Sequence, residues 1–274
     1  DVGDAWGTNG PVRNRVIARM PVERYASEYN MKHLKRGVAI IFNHEHFEVA
    51  NLKSRSGTNV DCENLEHSLK QLHFDVAVCK DYKFHDIHNK VRQVATMDHS
   101  DNDCLIISIL SHGELGFIYA KDTQYKLDSI WNYFTADNCP TLAGKPKLFF
   151  IQACQGDRLD AGVILSKTET DGESSSSISY KIPSHADFLI AYSTIPGFYS
   201  WRNTTKGSWF IQSLCQELNL HGKTYDILRL LTFVCQRVAL DFESNTPDNY
   251  SMHQQKQIPC ITTMLTRILT FSDK

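Results

Sequence analysis

The sequence predicts an α/β domain with a mostly parallel central sheet that carries helices on both faces. Apolar runs rich in β-forming residues alternate along the chain with stretches whose apolar residues recur at helical spacing. Several of the apolar runs are uninterrupted, which is typical of strands buried on both faces of a parallel sheet. The 274 residues suffice for one large domain of this class, and we expect a single structural domain.

The first predicted elements follow an N-terminal arm that shows no apolar periodicity as far as about Met31. The run "RGVAIIFNHEHF" at 36–47 is rich in β-forming residues and predicts the first strand. The stretch 59–72 predicts a helix, because its apolar residues recur at helical spacing. Asn59 or Asp61 is expected to cap the start of this helix.

The middle of the chain continues the alternation. "FDVAVCKD" at 74–81 predicts a second strand, and the amphipathic stretch 83–96 predicts a helix with one apolar face. The stretch "DCLIISILSHGE" at 103–114 predicts a third strand, an apolar run that ends in Ser-His-Gly. After a short helix at 127–134, "KPKLFFIQAC" at 145–154 predicts a fourth strand, which ends in Gln-Ala-Cys.

A polar, serine-rich stretch at 155–180 interrupts the pattern. Structureless loops of this length are uncommon inside compact domains and are usually functional or disordered, and we refer to this stretch as the linker. Regular spacing then returns, and it predicts a strand at 186–194, helices at 208–220 and 225–242, and a last strand at 260–271.

Composition excludes several classes of function. The net charge of −2 gives no reason to expect the clustered cationic surface that nucleic acids or anionic membranes require. No apolar run of the sequence approaches the roughly 20 residues that span a bilayer. The eight cysteines lack a CxxC pair, so we expect free thiols in a reducing, cytoplasmic location. The pairs His44/His46 and His85/His88 are too few for a zinc site, and we expect neither metal nor cofactor.

Ligands of parallel α/β sheets bind at the carboxyl ends of the strands. His112 and Cys154 lie at the ends of the third and fourth predicted strands. Because a thiolate is a nucleophile and an imidazole can serve as its base, the pair predicts cysteine-based catalysis. The alternative is a chance pairing, since the chain contains twelve histidines and eight cysteines. Gly113 favours catalysis slightly, because a glycine lets a backbone N–H approach a carbonyl oxygen closely.

Local motifs decide between these alternatives. The segment "QACQG" at 152–156 matches the active-site signature of the caspases. Motifs that resemble the family's substrate loops, histidine loop and closing strand lie at 53–61, 111–116, 192–210 and 255–269. From roughly Met20 onward the chain therefore resembles the caspases, and it resembles the insect effector caspases most. The resemblance implies the caspase–haemoglobinase fold.

The resemblance implies an aspartate-specific cysteine endopeptidase of the effector type, which executes apoptosis. Cys154 would be the nucleophile and His112 the general acid and base. The backbone N–H groups of Gly113 and Cys154 would hold the oxyanion. A backbone carbonyl orients the histidine in the family, and here it corresponds to the carbonyl of Lys53.

The resemblance also implies a pocket for the aspartate side chain. Arg55 and Arg202 match the family's two guanidiniums, and Gln152 is expected to act together with them in the same pocket. Charge-assisted arginine forks select a carboxylate at a fixed distance, and glutamate is one methylene too long. Outside these motifs, either arginine would be interpreted as a solvated surface charge.

Aromatic residues match the neighbouring subsites. Tyr199 and Trp201 correspond to the walls around the residue before the aspartate, while Asn203 and Trp209 correspond to positions that meet the fourth residue upstream of the cut. The segment after "DFES" departs from the family, because several effector caspases have phenylalanines there. In this chain the corresponding places hold Asn245, Pro247 and Met252. An aspartate four residues before the cut remains the expected preference.

Maturation by cleavage after aspartate is implied as well. Zymogens of the family are cut between a large and a small subunit, and Asp171, which ends "TETD" in the linker, is the expected site. Asp160 is a second candidate for this cut. "DVGD" ends at Asp4, where a cut would free Ala5 as a new N-terminus. The expected regions are a prodomain remnant at 1–4, a large-subunit region at 5–171 and a small-subunit region at 172–274.

The implied partners are protein substrates cut after aspartate, an upstream initiator caspase, and inhibitor-of-apoptosis proteins that capture an alanine N-terminus. Two large–small pairs are expected to join near Cys260 into a heterotetramer. One rival hypothesis is a catalytically silent caspase-like regulator that binds other caspases, and it would be marked by loss of the cysteine, histidine or arginines. Another is a cysteine hydrolase of the same broad fold with a different specificity, and a relative that cuts after basic residues would need acidic residues in place of the arginines.

Overall fold

The computed structural model describes residues 18–162 and 184–274. In chain order the helices and strands are β1 (Lys35–Asn43), α1 (Thr58–Gln71), β2 (Asp75–Lys80), α2 (Phe84–Ala95), β3 (Asn102–Leu110), β4 (Gly113–Glu114), β5 (Phe117–Tyr119), β6 (Gln124–Tyr125), α3 (Asp128–Trp131), β7 (Lys147–Gln152), β8 (Phe188–Tyr192), β9 (Arg202–Asn203), β10 (Gly207–Ser208), α4 (Trp209–His221), α5 (Ile227–Asp241) and β11 (Cys260–Thr263). Short 3₁₀ turns lie at Asn132–Phe134, Pro140–Leu142 and Tyr250–Met252.

The predicted fold class is confirmed. The central sheet has six strands in the order β11-β8-β7-β3-β1-β2, and all neighbours are parallel except β11, which runs antiparallel to β8. Successive residues of β1 enter different cores: Ala39 and Ile41 join the core that includes α1, α4 and α5, while Ile40 and Phe42 join the core that includes α2 and α3. The sheet is therefore buried by helices on both faces.

The two strands singled out by the sequence are neighbours in the sheet. β3 and β7 are parallel, and their paired residues end with Leu110 opposite Gln152. The ladder continues one step further, because the N–H of Ser111 donates to the carbonyl of Gln152 at 3.0 Å. The two loops that follow these strands therefore leave the sheet at the same edge.

The last predicted strand is correct only in its first part. β11 ends at Thr263, whereas the apolar pattern continues to Phe271. Beyond β11 the chain pairs with the N-terminal arm through a bridge between Glu28 and Ile268. Leu269 and Phe271 are buried in the core on one face of the sheet. The apolar pattern there reflects burial against the core and the arm, and not membership of the sheet.

The predicted cap of α1 is wrong. The residue before the helix is Gly57, whose φ of 90° is left-handed, and no side chain caps the helix. Asn59 instead donates from Nδ2 to Glu45 Oε2 at 2.9 Å. Asp61 instead accepts two hydrogen bonds from Ser208. The two side chains that local sequence assigns to the cap are therefore engaged in hydrogen bonds with residues distant in the chain.

Very short strands were also not predicted, because two or three residues carry no measurable period. These are β4, β5 and β6, which form a small sheet after β3, and the hairpin of β9 and β10. Within the described ranges, no helix has the length and hydropathy that crossing a bilayer requires. The predicted cleavage sites Asp4 and Asp171 lie outside the described residues, as do Asp1 and Ala5.

We expect Gly37→Ala to destabilise the sheet strongly. Gly37 has a φ of +129°, and a Cβ at this position would lie 1.9 Å from the carbonyl oxygen of Cys104 on β3. Gly116→Ala is the matched control, because Gly116 also has a positive φ of +83° but has no atom within 4 Å of a built Cβ. Backbone strain of this kind costs roughly 1–2 kcal/mol, and overlap in a packed interior adds roughly 1–3 kcal/mol. Urea unfolding measures both variants, and equal losses of stability would contradict the steric argument.

Candidate active site

His112 and Cys154 follow β3 and β7, and their loops are in contact. Gly113, directly after His112, packs so tightly that a Cβ there would lie 2.6 Å from the carbonyl oxygen of Cys154 and 2.9 Å from Ala153 Cβ. Such a position accepts only glycine without a shift of the backbone. The close approach seats the backbone of the histidine loop directly against that of the cysteine loop.

The imidazole of His112 is held from two sides. Its Nε2 lies 2.8 Å from the carbonyl oxygen of Lys53, the contact that the resemblance implied, and the ring of Phe47 lies 4.9 Å from it between centroids. A carbonyl oxygen can only accept, so Nε2 carries the proton of the neutral ring and Nδ1 is the basic nitrogen. Burial lowers the pKa of His112, and the charges of Arg55 and Arg202 lower it further.

The thiol of Cys154 contacts the backbone of Ser200. The N–H of Ser200 donates to Sγ at 3.4 Å, and the Ser200 carbonyl oxygen lies 3.8 Å from Sγ. Burial raises the pKa of Cys154, while the Ser200 N–H and the charges of Arg55 and Arg202 act against this shift. The resting cysteine is therefore a thiol that needs a base before it can act as a nucleophile.

Arg55 is buried and fixed to the end of β1. Its Nη1 donates to the carbonyl of His44 at 3.0 Å and to Thr58 Oγ1 at 2.7 Å. The Thr58 hydroxyl in turn donates to Asn43 Oδ1 at 2.7 Å. Burial, followed by the like charge of Arg202, lowers the pKa of Arg55 to about 9. A guanidinium that has lost water in this way gains strongly from a carboxylate partner.

Arg202 follows the linker in the chain and reaches the same region as Arg55. It lies in β9, and its Nη1 donates to the carbonyl of Ser56, next to Arg55 in the chain. Burial lowers its pKa as well. His112 and Arg202 both bond carbonyls of the segment 53–56 that contains Arg55, and Cys154 is bound by Ser200, two residues before Arg202, so the four residues meet in one region. The sequence predicted all four of these residues.

Gln152 is buried beside the pocket. Its Nε2 donates to Ser200 Oγ at 2.8 Å, while its Oε1 is buried without a hydrogen-bond partner. The Ser200 hydroxyl donates to Ser193 Oγ at 2.9 Å, and the Ser193 hydroxyl donates to the carbonyl of Ala153 at 3.0 Å. Ser193 and Ser200 tie the cysteine loop to β8 and the following loop, and neither was predicted. Ser200 stood inside a recognised motif, but nothing in its spacing distinguished it.

The predicted subsite aromatics form one stack. Tyr199 contacts Trp201 at 5.1 Å between ring centroids, Trp201 stacks on Trp209 at 5.6 Å, and Trp209 stacks on Phe242 at 5.4 Å. Met252 packs against the same cluster. Phe242 was not predicted, although it ends the helical pattern of α5.

The remaining predicted subsite residues differ in their exposure and in the groups that they contact. Asn203 Oδ1 accepts the N–H groups of Thr205 and Lys206, both at 2.9 Å, and so shapes the turn between β9 and β10. Asn245 and Pro247 are exposed, and of the three residues after "DFES" only Met252 reaches the aromatic stack.

No group of three or more His, Cys, Asp or Glu side chains in the described ranges is arranged to hold a metal ion. His44 is fully buried, and its Nε2 lies 3.1 Å from the carbonyl oxygen of Tyr82. Burial lowers its pKa to about 4, so it is a neutral part of the scaffold.

Comparison with known proteins agrees with the geometry. A family model described as "Caspase domain" matches residues 36–270. "Caspase drICE" of Drosophila melanogaster is 69% identical over 258 residues, which cover 94% of this chain and 76% of that protein. The crystal structure of caspase-1 from Spodoptera frugiperda superposes with a TM-score of 0.89 at 63% identity, covering 94% of this chain and 98% of that one. A structure entitled "structure of pro-sf-caspase-1" superposes with a TM-score of 0.75 at 65% identity, covering 94% and 99%.

We expect Arg202→Met to move the alkylation of Cys154 by iodoacetamide to higher pH. The variant removes a positive charge that lowers the pKa of this thiol, so a larger share of the cysteine stays protonated at each pH. Mass spectrometry of the Cys154 peptide gives the rate as a function of pH. Arg92→Met is the matched control, because it removes the same charge from the exposed face of α2. An unchanged profile, or an equal shift in the control, would contradict the assignment.

Proposed function

This chain belongs to the caspase family, and from that membership we propose how its residues carry out catalysis. It is a cysteine endopeptidase of the effector caspase type, and it executes apoptosis. The observation that carries the proposal is the position of one thiol and one imidazole after the paired ends of β3 and β7, with two guanidiniums tied to the loops that hold them.

We propose that Cys154 is the nucleophile and His112 its general acid and base. The lowered pKa of His112 and the raised pKa of Cys154 leave both groups neutral before reaction. His112 Nδ1 takes the proton of the thiol as Sγ attacks the peptide carbonyl, and later gives it to the leaving amine. Water then hydrolyses the acyl-enzyme. Lys53 holds the imidazole through its carbonyl oxygen, and the N–H groups of Gly113 and Cys154 hold the oxyanion.

Cleavage after aspartate follows from the two arginines. Arg55 and Arg202 bind the substrate carboxylate, and Gln152 lines the same pocket. A carboxylate bound to both guanidiniums offsets the repulsion between these two partly desolvated cations. The aspartate side chain therefore contributes strongly to substrate binding. Tyr199 and Trp201 contact the residue before the aspartate, while Asn203 and Trp209 meet the fourth residue upstream of the cut.

Nothing in the described residues favours the two rival functions. A silent regulator is expected to lack part of the set formed by Cys154, His112, Arg55 and Arg202, and all four are present. A relative that cuts after basic residues needs acidic side chains in place of Arg55 and Arg202.

We propose that the chain is made as a zymogen and is cut at Asp171 into large- and small-subunit regions. The likeness to a structure entitled "structure of pro-sf-caspase-1" supports a zymogen form. The rival site Asp160 is engaged in contacts: its carbonyl accepts the N–H of Lys256 at 2.7 Å, and its Oδ1 accepts the N–H of Gly162 at 2.9 Å. A protease needs an extended, accessible chain, so these contacts disfavour Asp160. Asp4 is the proposed site of prodomain removal.

We propose that two large–small pairs assemble through β11 into a heterotetramer. Among the described strands, β11 has β8 as its only neighbour, so its outer edge is available to a second copy. The proposed partners are protein substrates cut after aspartate, an initiator caspase, and inhibitor-of-apoptosis proteins that capture the N-terminus at Ala5. The eight free cysteines support a reducing, cytoplasmic location.

Matched tetrapeptide substrates that end in Asp, Glu or Asn test the pocket. The Asp substrate is expected to be cut, the Glu substrate at least about tenfold more slowly, and the Asn substrate roughly 10⁴-fold more slowly, because a buried cationic site is left unpaired. Cys154→Ala should abolish turnover of all three. Equal turnover of Glu would contradict the pocket, and turnover by Cys154→Ala would contradict the nucleophile.

Asp171→Ala is expected to prevent separation of the chain into two subunits. The variant is incubated with active wild-type enzyme and followed on a denaturing gel. Asp160→Ala is the control, and it should be cut like the unsubstituted chain because Asp160 is held by Lys256 and Gly162. Unchanged processing of Asp171→Ala would remove this residue as the main maturation site.

A further inference from the structure

A buried carboxylate beside the pocket has no part in the reaction described above. Asp61 lies in the first turn of α1 and is 1% exposed. Its Oδ1 accepts the N–H of Ser208 at 2.7 Å, and its Oδ2 accepts the hydroxyl of Ser208 at 2.5 Å. Burial raises the pKa of Asp61, and both bonds from Ser208 act against that shift. Two donors directed at the two oxygens favour the ionised carboxylate.

These bonds fasten the β9–β10 hairpin to the start of α1. Ser208 is paired with Arg202 across the hairpin, so the residue that Asp61 holds lies opposite a pocket arginine. Gly207 has a φ of +92°, and a Cβ there would lie 2.3 Å from Asp61 Oδ1. The approach of the carboxylate is therefore close enough to require glycine in the hairpin. The carbonyl of Ser56, which directly precedes Gly57 at the start of α1, accepts a hydrogen bond from Arg202 Nη1.

The charge of Asp61 also acts on both arginines. It favours the protonated form of Arg55 and of Arg202, whereas the charge of Arg202 disfavours that of Arg55. Two guanidiniums and one carboxylate leave one net positive charge, which a single substrate carboxylate neutralises. Buried like charges need such a partner, because an unbalanced charge in this setting is costly.

We propose that Asp61 is a positioning residue of the aspartate pocket, which holds the Arg202 hairpin through Ser208 and offsets the repulsion between Arg202 and Arg55. Asp61 does not touch the substrate. The proposal rests on the function proposed above, since it requires the two arginines to bind the substrate aspartate.

Asp61→Asn tests the charge, because asparagine keeps the shape of the side chain and can still bond Ser208. We expect KM for an Asp-ending tetrapeptide to rise about tenfold while kcat stays within about twofold, which is the signature of lost substrate binding without lost chemistry. Asp61→Ala should raise KM further, because the bonds to Ser208 are lost as well. Asp75→Asn removes the same charge at an exposed position of β2 and should leave KM unchanged.

Iodoacetamide alkylation of Cys154 separates a role in the pocket from a role in the fold, because the reagent does not bind through the aspartate pocket and Asp61→Asn keeps the charge of Arg202 on which the rate depends. An unchanged alkylation rate in Asp61→Asn, together with the raised KM, supports the proposal. An unchanged KM overturns it, and so does a parallel fall in kcat and alkylation rate. Failure of the proposed function would instead appear in the unsubstituted enzyme, as equal turnover of Asp- and Glu-ending substrates.

Discussion

The parallel pairing of β3 with β7 is the constraint on which the site depends. Both strands are buried along their whole length, and their register ends with Leu110 opposite Gln152. A slip of one residue would turn every side chain of one strand to the other face of the sheet, so burial of both faces fixes the register strongly. That register brings the backbone of Gly113 against the backbone of Cys154. Hydrophobic burial, which is not itself directional, thus sets the geometry of a polar site.

The same burial makes the charges of the site costly. Arg55 lies almost out of solvent, and its pKa of about 9 reflects that loss of water. Thr58 and the carbonyl of His44 compensate one side of its guanidinium, and the charge of Asp61 offsets part of the repulsion from Arg202. The proposed pocket therefore combines two guanidiniums with one carboxylate, and it keeps one net positive charge, which matches a single substrate carboxylate. The expected selectivity for an anion follows because Asp61 compensates only part of the positive charge of the two arginines.

Several elements could be derived from the apolar pattern alone: α2 and α5 are long enough to show a helical period, and β1, β3 and β7 stand out as apolar runs. The prediction was wrong where an apolar pattern had another cause, as in the stretch up to Phe271, which packs against the core beyond β11. It was also wrong at the start of α1, where local propensity assigned a cap to Asn59 or Asp61. Those side chains are bound to Glu45 and Ser208 instead, and a cap of about 1 kcal/mol is too small a preference to decide between local and tertiary hydrogen bonds.

The sequence by itself determined the fold class and was enough to propose the thiol–imidazole pair and the two arginines, because these are recorded in local patterns and short motifs. Only the tertiary structure decided how they are supported. Ser208 meets Asp61 across 147 residues, and Arg202 meets Ser56 across 146. Such contacts produce no recognisable pattern in the sequence. A buried polar group needs a hydrogen-bond partner, but that partner can come from any position along the chain. Burial is set by the whole fold, and so the choice of partner is as well.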